Sequence, residues 1–129
     1  MKMLFVTIFG TLFFSTSVFS MGGDKPGPHG GYISMPGTYH IELVDKGDTV
    51  QVYLLDIGMK NPTITNSSVS LKFVNDKEVE ATCKTRDKYF VCNKPDAGLE
   101  KFREIRLLSV RNKIKAKAAV YKLPLQFDK

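Results

Sequence analysis

The chain has 129 residues, 43% of them hydrophobic and none of them tryptophan, which suffices for one domain with a modest core and not for two. Its formal net charge of +6 is basic without being extreme, and no run of bases interleaved with aromatics marks a nucleic-acid surface. With 2 cysteines, 2 histidines and no catalytic signature around either, an enzyme is not expected.

In chain order, Lys2 precedes an apolar run from Leu4 to Phe14 that is too short to span a bilayer. Val18 and Ser20 stand three and one places before Met21, small enough for a signal peptidase cleft, so residues 1–20 are expected to be a signal peptide cut after Ser20. The alternative is a buried N-terminal strand or helix. No cysteine follows the run, which argues against a lipid anchor, and no later run is long enough to cross a membrane. The expected product is periplasmic or secreted, and loss of Lys2 leaves it at about +5.

Residues 21–31, MGGDKPGPHGG, concentrate glycine and proline and predict a flexible leader ending in a turn before a domain at 32–129. A short edge strand is expected to start near Gly30. Tyr39, Ile41 and Leu43 then alternate with His40 and Glu42, and Val50, Val52 and Leu54 alternate with Gln51 and Tyr53. This is a hairpin turning at residues 45–48, with Leu43 predicted opposite Val50 and Ile41 opposite Val52. A polar loop at 58–68 contains Asn66-Ser67-Ser68, a glycosylation sequon if the source is eukaryotic. Val69, Leu71 and Phe73 make the next strand, and Val79, Ala81 and Cys83 the one after it. A turn centred on Asp87 and Lys88 leads to Tyr89, Phe90 and Val91 and sets Cys83 opposite Cys92. A structural disulfide is expected there, the other reading being a thiolate metal site that two sulfurs alone rarely close.

Residues 94–100 predict a loop, and residues 104–110 and 113–121 two final strands. In the second of these, Ile114, Ala116, Ala118 and Val120 are expected on one face, and Lys113, Lys115 and Lys117 on the other. Seven or so short strands with regular turns predict an all-β, antiparallel immunoglobulin-like sandwich, without that fold's tryptophan or its inter-sheet cysteine pair.

His40 and Glu42 lie two apart on a strand and so project to one face, where a turn at Gly30-Gly31 could bring His29 alongside. Two imidazoles and a carboxylate suit copper or zinc, with Met35 or Met59 as a soft thioether. The plainer reading is a half-buried strand histidine at 40, a turn cap at 29, and Glu42 paired with a lysine on the solvent face. The segments Gly27-Pro28-His29-Gly30-Gly31, Tyr39 to Val44 and Val50 to Asp56 resemble those of small periplasmic bacterial domains found alone or at the N-terminus of heavy-metal efflux adaptor proteins. The resemblance covers residues 27–56. It implies a periplasmic domain that handles copper, zinc or similar cations through His29, His40 and Glu42, with Tyr53 and Asp56 as further matched positions and an efflux-system or envelope protein as partner.

The competing expectation is a structural or interaction module that docks through the basic C-terminal stretch of Lys101, Arg103, Arg106, Arg111, Lys113, Lys115, Lys117 and Lys122. The same lysines would also serve to guard an edge strand against aggregation.

Overall fold

A computed structural model describes residues 25–127, so the expected signal peptide and its cut after Ser20 lie outside the described residues. The fold is an antiparallel β-sandwich. Its strands are β1 (Tyr32–Ser34), β2 (His40–Asp45), β3 (Thr49–Leu55), β4 (Ser68–Val74), β5 (Glu78–Glu80), β6 (Cys83–Arg86), β7 (Tyr89–Asn93), β8 (Glu104–Arg111), β9 (Ile114–Lys115) and β10 (Ala119–Lys122). A 3-10 turn, Leu99–Lys101, precedes β8. The first sheet runs β1-β2-β3-β7-β6 and the second β10-β8-β4-β5, with β9 also paired to β8. Among the described residues no helix is long and apolar enough to cross a membrane.

The period-two pattern produces the core directly. Ile41, Leu43, Val50, Val52 and Leu54 of the first sheet meet Leu71, Phe73, Ile105 and Leu107 of the second, all fully buried. Each such side chain contributes on the order of 1.5–3 kcal/mol. Polar contacts also join the layers. The Tyr39 hydroxyl lies 2.8 Å from Ser109 Oγ, and the Tyr121 hydroxyl donates to the Ile41 carbonyl at 3.1 Å. Arg111 donates to the carbonyls of Leu54 and Asn61 at 3.1 and 2.7 Å.

Three predicted strands differ in detail. The first hairpin pairs Leu43 with Val52 and Ile41 with Leu54, two residues away from the expected register. Its turn is centred later: Lys46 N–H donates to Thr49 O at 2.9 Å, and Asp45 Oδ1 accepts from the N–H of Gly47, whose φ is 97°. A shift of two keeps the same residues inward. The single strand expected through residues 79–83 is two strands in different sheets. β5 pairs with β4, and the chain then crosses between layers at Ala81 and Thr82, where Ala81 N–H still reaches Leu71 O while Thr82 O accepts from Asn93.

The third difference is a bulge. Val110 pairs with Lys115 but Leu107 pairs with Ala119, so one extra residue is accommodated across residues 116–118. It inverts the alternation, and Ala119 and Tyr121 are buried while Val120 is exposed. The predicted common face for Ala118 and Val120 with Ile114 and Ala116 is thereby broken. The cysteine hairpin has the expected register: Cys83 faces Cys92, Arg86 faces Tyr89, and Asp87 takes a φ of 53° in the two-residue turn. Cys83 and Cys92 form a disulfide.

Candidate functional site

Residues 27–31 form a closed loop laid on the outer face of the first sheet. Gly30 N–H donates to Gly27 O at 2.9 Å, with Pro28 presetting the turn, and Gly27 N–H donates to Gly31 O at 2.8 Å. The loop lies almost in contact with β2. A Cβ on Gly27 would sit 2.6 Å from Glu42 Oε2, and one on Gly31 would sit 2.5 Å from Leu43 O. Only glycine permits this approach.

The approach aims N–H groups at one carboxylate. Glu42 Oε2 accepts from the backbone N–H groups of His29 and Gly31, both at 2.8 Å, and Oε1 lies 2.7 Å from His29 Nδ1. Glu42 is fully buried, so the predicted pairing with a solvent-facing lysine does not occur. Burying a carboxylate is unfavourable unless donors replace its water, and here N–H groups of the loop do so. This end of the expected leader is fixed by those bonds.

The His29 ring stacks on Tyr53 with centroids 3.8 Å apart and planes 9° from parallel, and Tyr53 in turn meets Tyr89 at 4.8 Å. An aromatic row therefore crosses β3 and β7. Burial pushes the Tyr53 hydroxyl above its ordinary pKa, and the neighbouring Tyr89 and Glu42 add to the effect. With Glu42 accepting from Nδ1–H, the neutral imidazole carries its lone pair on Nε2. The His29 side chain is 37% exposed.

His40 leaves β2 on the same face as Glu42, but its Nδ1 lies 3.2 Å from the Asp56 carbonyl oxygen. Asp56 organises the loop that follows β3: its carboxylate accepts from the N–H groups of Gly58 and Lys60 and from the Asn61 amide at 3.0, 2.8 and 2.8 Å. The Lys60 N–H, with help from Asn61, holds that carboxyl below its ordinary pKa. The structure thus joins His29 to Glu42 and sends His40 to the Asp56 loop. Among the described residues no group of three or more His, Cys, Asp or Glu side chains is arranged to hold a metal ion. Cys83 and Cys92 are consumed by their disulfide, so the thiolate metal site weighed for them is ruled out.

Tyr89 escaped the sequence reading. It was legible as a residue of the strand after the Asp87-Lys88 turn, but its place beside Tyr53 depends on β7 pairing with β3 across more than thirty residues of intervening chain. The basic C-terminal stretch is partly neutralised. Arg106 lies 2.8 Å from Glu104 and 3.7 Å from Glu78, and Arg111 is spent on backbone carbonyls, while Lys113, Lys115 and Lys117 remain exposed. No family model, curated protein or solved structure matches this chain.

Proposed function

We propose that the chain is an exported, non-catalytic accessory domain that binds a copper- or zinc-class cation on the His29 face of the first sheet. The observation that carries this reading is the 2.7 Å contact between Glu42 Oε1 and His29 Nδ1. A carboxylate behind one ring nitrogen fixes the tautomer and makes the other nitrogen a better ligand, the usual outer-shell arrangement of metal-binding histidines. Glu42 then acts as the orienting group rather than as a direct ligand. His29 leads, His40 on the neighbouring stretch of β2 is the second candidate, and water completes an open, weak site that a copper or zinc efflux system could load or empty.

Titration calorimetry of the oxidised protein with copper(II) and zinc tests this. His29→Ala and His40→Ala are each expected to weaken binding tenfold or more; His40→Ala should leave the melting temperature of the metal-free protein within a few degrees, whereas His29→Ala also bares Glu42 Oε1 and lowers it further. Unchanged affinity in the double variant rejects the site.

The rival reading is a structural or interaction module, and the lack of a third converging ligand among the described residues favours it. In that case the loop on Glu42 is purely a clasp, and the exposed Lys113, Lys115 and Lys117 meet an acidic envelope partner. Binding of metal with no dependence on either histidine, or no binding at all, moves the assignment to this module.

A further inference from the structure

At the end of the sandwich where β2 finishes, the 3-10 turn and the C-terminal tail enclose a cleft of about 450 Å³. That volume lies within the range of roughly 300–1,000 Å³ typical of small-molecule sites. Tyr32, Leu99, Phe102 and Leu125 are among its walls, and all four are partly buried and packed on the core, so the cleft continues the apolar interior outward. Its walls are braced. Tyr32 stacks on Phe127 with centroids 4.3 Å apart, Leu123 N–H donates to Arg103 O at 2.9 Å, and Asn75 Nδ2 donates to Lys101 O at 2.6 Å.

The charged groups of the lining are Asp45 and Glu100, with no lysine or arginine among the lining residues. Lys94 Nζ, 2.7 Å from Asp45, offsets that carboxylate, so Glu100 is the uncompensated charge of the lining on a chain of net charge +6. Asp45 Oδ1 receives both Lys94 Nζ at 2.7 Å and Gly47 N–H at 2.9 Å, which leaves Oδ2 without a partner among the described residues. The Glu100 carboxylate makes no hydrogen bond or ion pair among the described residues. An apolar chamber whose lining includes one unpaired carboxylate, Glu100, matches a ligand with a hydrophobic body and a cationic head.

We propose that this cleft binds small amphipathic organic cations, alkyl or aromatic ammonium compounds, seating the apolar body against Tyr32, Phe102 and Leu125 and the ammonium against the Glu100 carboxylate. Its lining includes none of His29, His40, Glu42 or Tyr53, and the binding does not depend on a metal.

The test uses methyl and amide NMR of the oxidised protein titrated separately with octyltrimethylammonium, octanol and octanoate below their aggregation limits. The ammonium is expected to shift the methyl signals of Leu99, Leu123 and Leu125 and to bind at least tenfold more tightly than either analogue of equal chain length. Glu100→Gln is expected to weaken ammonium binding threefold or more while the melting temperature stays within a degree or two. Equal binding of the three probes, cleft signals that stay fixed at millimolar ammonium, or full affinity in Glu100→Gln would each overturn the proposal.

Discussion

Removing the Glu42 carboxylate tests the clasp most directly. Glu42→Ala deletes one fully buried acceptor and leaves the N–H groups of His29 and Gly31, and the His29 ring, without the partner they share. Hydrogen bonds to a charged group contribute roughly 1.5–3 kcal/mol each, and a buried donor left bare costs about 1–3 kcal/mol. Solvation of the freed loop recovers part of this, and the removed anion no longer has to be desolvated. The net loss is therefore put at about 3–5 kcal/mol, since two backbone donors and the His29 ring each lose a bond to the carboxylate. For a domain of this size it corresponds to a fall in melting temperature of at least about 10 °C. Glu42→Gln keeps the shape and the acceptor oxygen and should lose only about 1–2 kcal/mol. Urea unfolding followed by far-ultraviolet circular dichroism, with the disulfide intact, gives both numbers. Hydrogen exchange adds a local readout, since the Gly31 amide should lose protection in the alanine variant before β3 does. A loss below about 1 kcal/mol for Glu42→Ala would show that the buried carboxylate does not hold the loop.

Three further outcomes are expected. Replacing both cysteines with serine should cost about 2–3 kcal/mol, because the disulfide closes a loop whose ends are 9 residues apart, and an unchanged urea midpoint contradicts this. Burial alone would raise the Asp45 carboxyl, but the Lys94 ammonium and the Gly47 N–H outweigh it and hold the group below its ordinary value. Its contribution is then complete above the ordinary carboxylate range and is lost as pH falls through the lowered value, below about 4. With the Asp45 side chain 39% exposed the effect stays well under about 1 kcal/mol, and Asp45→Asn should flatten the acid limb of the stability curve slightly; parallel curves refute it. Lys115→Gln, at an exposed position of β9, should change stability by less than about 0.5 kcal/mol, and a larger loss in urea unfolding would mean that its side chain packs on the sheet.

Most of the fold was readable because strand alternation and tight turns are local. The Cys83 to Cys92 register follows from a two-residue turn, and the inward set of β2 and β3 survived an error of two in pairing because side chains repeat every two residues. Two features escaped for the opposite reason. The crossing at Ala81 and Thr82 and the bulge before Ala119 are decided by which sheet has room for the chain, and an unbroken alternation gives no sign of either. At the site, the glycines and His29 were legible as a turn, and Glu42 as its neighbour. That Glu42 is wholly covered was not, because coverage depends on the loop folding back over β2, and a strand glutamate usually faces water. His40 shares the strand face with Glu42 as the spacing required, yet the Asp56 carbonyl competes for its ring nitrogen, a contact between residues 16 apart.

The placement of the disulfide bears on how the chain matures. Its half-cystines are neighbours in one hairpin, and the chain has no other cysteine, so oxidation admits a single intramolecular pairing. There is no scrambled isomer to sort and no need for a disulfide isomerase. The covalent step can be completed on a hairpin of residues 83–92 alone, before β8 and β10 arrive to close the second sheet. Assembly of the long-range strand pairs can then start from a chain whose β6 and β7 are already tied, so a cell needs to supply this protein with an oxidant but not with proofreading of its sulfur chemistry.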